Sequence, residues 1–420
     1  MARPSPGATG RRVLFLSYDG LTDPLGRSQI LPYLQGLAGR GHAITVVSFE
    51  KPGRSESERG AVVAACAEAG IDWQPQTYHA RPPVLSTLRD VRAMARAAER
   101  LQRGNGFDIV HCRSYISALV GLRMKRRHGL RFLFDMRGFY VDERIDMGLW
   151  RPGNPLFALI IGFFRKREAA FFTEADAIVS LTHAGADRLK TWTDVLITVI
   201  PTCVDFDHFR LRSAEEKAAA RRTLGIPADA AVLAYLGSIS DRMLAREMLE
   251  AFRVFEAKRR NAVFLVIATQ GEEELRAKAK QLGIAQEKIL FRPRRREEVP
   301  AAVGAADAGI AFYRPGEAMA GCSPTKLGEM LALGIPVLLN SGVGDVDRIV
   351  ADIGAGAVVP SFDEQSLAQG VEALAHAPPP DRIRGAAQRW FDLQTGVEIY
   401  HQLYTSLTAK AGDQAANGQG

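Results

Sequence analysis

The sequence predicts an α/β fold of two Rossmann-like, doubly wound parallel-sheet domains. Short β-branched or aliphatic runs recur along the chain, amphipathic stretches separate them, and the whole rhythm occurs twice. In the first half the runs are "VLFLS", "ITVVSF", "FDIVHC", "RFLFDM", "AIVSLT" and "ITVIPT". In the second half they are "AVLAYLG", "AVFLVIAT", "KILFRP", "AGIAFY", "PVLLN" and "GAVV". Runs this short and this uniformly apolar suit strands covered on both faces, which is the environment a parallel sheet has in βαβ units.

The break between the two sets falls in "PTCVDFDHFRLRSAEE", residues 201–216, which follows a strand, carries a proline and shows no periodicity until a helix starts near Ala214. The expected domains are 12–203 and 204–380, with a closing helix over 381–408 that packs back on the first domain. Residues 1–11 and 409–420 are rich in small and polar residues and are expected to be loose tails.

A chain of 420 residues is too long for one ordinary core. Its 47% hydrophobic and 24% charged residues supply the cores and exclude global disorder. Cys66, Cys112, Cys203 and Cys322 are scattered and form no CxxC pair. That argues against a zinc site or a disulfide framework, and for a reducing cytoplasm. The first ten residues have no apolar run of the kind a signal peptide carries.

The net charge of +7 suits nucleic acid, an anionic membrane face or an anionic substrate alike. The basic clusters "RMKRRH", "RKR" and "RPRRR" have no interleaved aromatic residues, which speaks against nucleic acid. The most apolar stretch, "PLFALIIGFF" at 155–164, is half the roughly 20 residues needed to cross a bilayer. Arg165, Lys166 and Arg167 follow it, so it reads as a buried core helix with a basic cap, the alternative being a helix lying on an anionic membrane surface.

Doubly wound sheets bind ligands beyond the carboxyl ends of their strands, so the chemistry is sought there. After the first strand, Gly20 and Gly26 bracket a polar turn before a helix, a place where backbone N–H groups can approach a phosphate. The spacing is not GxGxxG, and no dinucleotide fingerprint is present. His111 and Arg113 end a later strand, where a histidine can share a proton and an arginine can clamp an anion. "FDMRGFYVDERIDMGLW" then places Asp135, Arg137, Asp142, Glu143 and Arg144 in one loop, a set that must face a polar cleft or pair internally.

In the second half Gly237 and Ser238 form a strand-to-helix turn. The segment "AGCSPTKLGE" is the most specific: Ser323 is expected to cap a helix, Pro324 and Thr325 to fill its first turn, and Lys326 with the free N–H groups to seat an anion. Glu329 lies one turn on, placed to accept both hydroxyls of a ribose, or else to form an exposed pair with Lys326. The "GDVD" at 344–347 is expected to cap the following helix and not to hold a metal.

Taken in order, the first-loop glycine, "VIPTCVDFDHF", "YLGS" and "SPTKLGEMLALGIPVLLNSGVGDVDRIV" resemble a retaining family 4 glycosyltransferase of the GT-B fold. "FDMRG" and "SPTKxGE" bring the chain nearest to a bacterial polysaccharide-type subgroup. The resemblance implies two lobes facing a cleft, the donor held by the second and the acceptor by the first. It implies Glu329 at the donor ribose, Gly26 near the diphosphate and His111 toward the transferred sugar. It departs at Gly321, where the family has a first glutamate, and at Ser238, where it has an arginine; Arg242, Arg246, Arg292 or Lys326 could then neutralise the diphosphate.

The function expected is retaining, metal-independent transfer from a nucleotide sugar, a co-substrate and not a cofactor, to a sugar or lipid-linked glycan acceptor. His111, Arg113 and Arg137 are the expected catalytic groups. An anionic membrane surface is a further expected partner, at the inner face. The alternatives are a non-hydrolysing nucleotide-sugar epimerase and a non-catalytic binding or scaffolding protein of envelope assembly.

Overall fold

The computed structural model describes residues 10–259 and 261–409. Most of the two expected tails lies outside these residues. Arg11 does not belong to a tail: its carbonyl accepts from Ala43 N at 2.9 Å, and its N–H donates to His42 Nδ1 at 3.1 Å. The chain forms two compact units, one running to Pro201 and resuming at Leu393, the other from Thr202 to Asp392.

The first unit begins with β1 (Arg12–Ser17), α1 (Pro24–Gln29), α2 (Leu31–Gly39), β2 (Ala43–Glu50), α3 (Glu56–Glu68), β3 (Asp72–Thr77) and α4 (Leu85–Asn105). It continues with β4 (Ile109–Arg113), α5 (Ser114–His128), β5 (Arg131–Asp135), α6 (Tyr140–Asp146), α7 (Pro155–Glu174), β6 (Ala177–Ser180), α8 (His183–Lys190) and β7 (Ile197–Val199). The sheet is parallel, in the order β3-β2-β1-β4-β5-β6-β7. β3 was not expected from the sequence. Its "DWQPQT" is polar and holds Pro75, which an edge strand paired on one side only tolerates.

The second unit runs α9 (Ala214–Leu224), β8 (Val232–Leu236), α10 (Ala245–Lys258), β9 (Val263–Ile267), α11 (Glu272–Gln281), β10 (Ile289–Phe291) and α12 (Val299–Val303). Then come β11 (Ala308–Ala311), α13 (Thr325–Ala332), β12 (Val337–Asn340), α14 (Val346–Ile353), β13 (Gly356–Val359), α15 (Glu364–Ala373) and α16 (Pro380–Phe391). Its parallel sheet has the order β10-β9-β8-β11-β12-β13. α9 starts where expected because Ser213 and Glu216 form a reciprocal capping box.

In both sheets the strand order reverses beside the first strand, at β1/β4 and at β8/β11. Loops leaving opposite sides of the sheet diverge there and open a crevice at the carboxyl ends. The single closing helix expected over 381–408 is instead two. Asp392 is extended, and Val204 N donates to Phe391 O at 2.7 Å, so the helix stops for one strand-like pairing. α16 stays with the second unit, and only α17 (Leu393–Thr408) joins the first.

α7 also departs from expectation. Its fully buried residues, Phe164, Glu168, Phe171 and Phe172, lie in the second half; in the first half Phe157, Ile160 and Ile161 are half-buried, while Leu156 and Leu159 are 59% and 73% exposed. Its apolar first half is therefore not a core helix. No helix among the described residues is long and apolar enough to cross a membrane.

Candidate active site

At the switch point of the first unit, the loop after β1 already holds an anion of the chain's own. The Glu50 carboxylate, at the end of β2, accepts from Leu21 N at 2.9 Å, Thr22 N at 3.0 Å and Ser48 Oγ at 2.6 Å. Asp23, nearly fully buried, takes Lys51 at 2.7 Å and Arg54 at 2.6 Å. Gly26 is required by a close approach: a Cβ there would stand 2.0 Å from Gly20 O and 2.7 Å from Leu21 Cα. Part of the amide cradle expected to receive a phosphate is thus satisfied internally, and Gly26 serves the fit of α1 against the loop.

The charged residues at the ends of β4 and β5 do come together. Asp135 lies 3.7 Å from His111 Nε2, 3.9 Å from Arg113 Nη1 and 3.8 Å from Arg137 Nη1. Arg113 Nε is 3.5 Å from Asp19. None of these reaches ordinary hydrogen-bond length, and His111 Nε2, Arg113 Nε and Asp135 Oδ1 are buried without a hydrogen-bond partner. These groups line one small pocket with Phe15, Tyr33 and Tyr400.

Burial pulls the His111 pKa down against the opposing pull of Asp135. Burial would raise Asp135, but Arg137, His111 and Arg113 overcome it and hold the carboxyl below its ordinary range. Burial opposes charge on Arg137, and Asp135 more than restores it. The Nδ1 of His111 meets Tyr404 Oη at 2.7 Å. With the imidazole neutral, Tyr404 donates to Nδ1, which leaves the proton on Nε2 facing the Asp135 carboxylate.

His111 and Arg113 were expected to be presented to a substrate. They are 2% and 3% exposed, because both side chains turn inward under α17. Arg137 remains partly open and sits at φ 60°, while Ser114, the residue after Arg113, sits at φ 66°. Left-handed non-glycine residues cost on the order of 1 kcal/mol each and gather where a site dictates backbone direction. Of the rest of the mixed loop, Asp142 takes Arg188 of α8 at 2.8 Å and also Arg165 of α7, and Arg144 stacks 3.6 Å from the ring centroid of Tyr140 on its own helix.

The second unit gathers its candidates at its own switch point. Lys326 Nζ donates to Tyr235 Oη at 3.0 Å and lies 4.3 Å and 5.4 Å from the Tyr235 and Tyr313 ring centroids. Tyr235 in turn donates to Ser238 O at 2.9 Å. Gly237 has φ 110°, and a Cβ there would stand 3.2 Å from Lys326 Nζ, so a glycine lets the lysine reach. Burial against these rings pushes the ammonium down to about 7.

Glu329 is buried and pairs with Arg296, not with Lys326. Burial raises its pKa, and Arg296 and then Lys326 oppose that. The alternative reading, an exposed pair of Lys326 with Glu329, does not hold, because the two heads turn to Tyr235 and Arg296. Arg292, expected at the diphosphate, turns instead to the end of α9, where its Nε donates to Leu224 O at 2.9 Å.

Ser323 does not cap α13. Its hydroxyl meets Thr202 N at 3.2 Å and Thr202 Oγ1 at 3.0 Å, and Pro324 is the N-cap residue with Thr325 opening the helix. Leu327 N donates back to Pro324 O at 3.0 Å, which leaves the N–H groups of Thr325 and Lys326 as the ones that open the helix. Gly321 closes a short 3₁₀ turn, Glu317–Gly321. In "GDVD" Asp345 makes no capping bond; Asp347 instead accepts from Ser341 Oγ at 2.7 Å and Gly342 N at 3.1 Å. No cluster of metal-ligating side chains occurs among the described residues.

Sequence reasoning missed Arg296, Asp19, Glu50, Tyr235, Tyr313, Tyr400 and Tyr404, and gave Asp135 no role of its own. Tyr400 and Tyr404 had a signal, an aromatic pair four apart on an amphipathic helix. Arg296 had only its place in a basic run.

Two doubly wound parallel-sheet lobes in one chain are the GT-B architecture. Residues 30–208 match the family model described as Glycosyltransferase Family 4, and residues 216–390 match Glycosyl transferases group 1; the chain belongs with these glycosyltransferases. It is 27% identical over 339 residues to a D-inositol 3-phosphate glycosyltransferase of Saccharomonospora viridis, covering 74% of each chain. It is 25% identical over 304 residues to that of Stackebrandtia nassauensis, covering 69% of this chain and 65% of the relative. Among solved structures, HepE of Anabaena in complex with UDP-glucose superposes with a TM-score of 0.67 at 15% identity, over 94% of this chain and all of that one.

Proposed function

We propose that this chain transfers a sugar, with retention and without a metal, from a nucleoside-diphosphate sugar to a hydroxyl acceptor. The observation that carries the reading is a pair of ionisable side chains on one helix, half-buried Lys326 and buried Glu329, at the switch point of the second sheet. Lys326 and the first-turn N–H groups of α13 take the diphosphate; a helix N-terminus and a cation stabilise the charge that grows on it as the glycosidic bond breaks. Glu329, steadied by Arg296, accepts the ribose hydroxyls.

In the first lobe Arg137 is the group that meets substrate, while His111 and Arg113 act through Asp135 to hold it. Retention and metal independence follow from the resemblance to family 4, in which the leaving phosphate takes the acceptor proton. The solved HepE complex with UDP-glucose supports a nucleotide-sugar donor. The relatives named for D-inositol 3-phosphate support an acceptor with several hydroxyls and an anionic group, which cationic side chains would receive.

Calorimetry with a panel of nucleoside diphosphates tests the donor assignment. Glu329→Ala is expected to weaken the best ligand by about ten- to a hundredfold, from loss of roughly 1.5–3 kcal/mol of charge-assisted bonding. An unchanged affinity would remove Glu329 from the ribose.

A further inference from the structure

The first half of α7 is an apolar helix with one face open: Phe157, Ile160 and Ile161 are half-buried, and the opposite face has no cover. Asn154 caps it, its side chain accepting from Leu156 N at 3.0 Å and Phe157 N at 3.4 Å, and Pro155 opens it, so the helix is well started. Leu156, Leu159 and Phe163, spaced to share one face, are 59%, 73% and 44% exposed, and Leu149 just before them is 54% exposed. A helix that is apolar all round is ordinarily covered, and a contiguous exposed patch of large apolar side chains marks a contact surface.

The charge around this patch has one sign. Residues 147–167 contain Arg151, Arg165, Lys166 and Arg167 and no acidic residue. Arg165 is held by Glu168 and Asp142, which leaves Arg151, Lys166 and Arg167 as the basic rim. The Arg167 guanidinium lies 5.2 Å from the Phe163 ring centroid, its stem along the apolar face and its charge at the edge. Trp150, an amphipathic ring, stacks 5.4 Å from Phe164 at the base of the helix. Apolar residues that project beyond a cationic rim match the layering of a bilayer whose headgroups are anionic.

We propose that the exposed half of α7 docks the first lobe on an anionic lipid surface, with Leu156, Leu159 and Phe163 entering the acyl boundary and Arg151, Lys166 and Arg167 meeting headgroup phosphates. Ten residues of helix reach about 15 Å, about half the hydrocarbon thickness, so the segment inserts from one side and does not span. The proposal does not depend on the donor or acceptor assigned above.

The test is flotation of the full chain with vesicles of phosphatidylcholine alone and with about one-third phosphatidylglycerol. The wild type is expected to float with the anionic vesicles only and to be released by half-molar salt. Leu159→Ser with Phe163→Ser, and separately Lys166→Glu with Arg167→Glu, are expected to lower the bound fraction about tenfold with an unchanged circular dichroism spectrum. Leu159 and Lys166 are exposed and Phe163 and Arg167 partly so, and the spectrum checks that the fold is kept. Absence of flotation, equal flotation on neutral vesicles, or variants that float like the wild type would overturn the proposal. So would a wild-type dimer in sedimentation that the serine variant abolishes, because the patch would then be covered by a second copy.

Discussion

Lys326 offers the sharpest prediction, because its position sets a pH dependence of known sign. Packed between the rings of Tyr235 and Tyr313, its ammonium falls from an ordinary lysine's 10.5 to about 7. Only the protonated form attracts a diphosphate, so donor affinity should fall as pH rises through 7. With that pKa, roughly nine-tenths of the free protein is protonated at pH 6 and about 3% at pH 8.5. The limiting loss is then about thirtyfold, on the order of 2 kcal/mol. UDP-glucose is a suitable first probe because its phosphates do not titrate in this range.

Calorimetry at pH 6, 7 and 8.5 measures the slope, and running it in two buffers of different ionisation enthalpy shows the proton taken up on binding. The stability linkage runs the other way. Between pH 7 and 10.5 the unfolded chain holds a proton on this lysine that the folded chain does not, so the group's contribution to stability rises with pH across that window. Below pH 7 the burial penalty is fully present, and Lys326→Met should raise the melting temperature there and lose this advantage toward pH 10. Affinity flat from pH 6 to 8.5 in the wild type, or steep in Lys326→Met, would refute the reasoning.

Two further substitutions separate packing from chemistry in the first lobe. Gly26→Ala forces a methyl to within 2.0 Å of Gly20 O, so α1 or the loop must shift; a loss of about 1–3 kcal/mol in urea denaturation is expected, and a loss under about 0.5 kcal/mol would show the loop to be compliant. Tyr404→Phe leaves His111 Nδ1 buried without a donor, which should cost about 1–3 kcal/mol and move the His111 nitrogen resonances toward the other tautomer. Unmoved resonances would show that Tyr404 does not set the proton's position.

Much of the fold could be read from local pattern. All the strands expected from apolar runs are present, and α9 starts at its capping box, because burial on both faces and a four-residue cap are written in adjacent residues. β3 escaped because an edge strand may be polar. Of the candidate site, the sequence offered the ionisable residues themselves: His111 and Arg113 on β4, Arg137 in the loop after β5, and Lys326 and Glu329 on α13. Their partners were not legible. Tyr404 comes to His111 from 293 residues away, and Arg296 to Glu329 from 33.

By itself, then, the sequence determined two parallel α/β lobes, the place of each crevice and the ionisable residues delivered to it. The tertiary structure decided the state of those residues: His111 and Arg113 turned inward, the first loop closed on Glu50, Lys326 held near neutrality between two rings, and the apolar start of α7 left open on one face. The physical reason is that periodicity and capping act over one or two turns of chain. Burial and pairing, which set charge and exposure, depend on segments that only folding brings within a few ångströms.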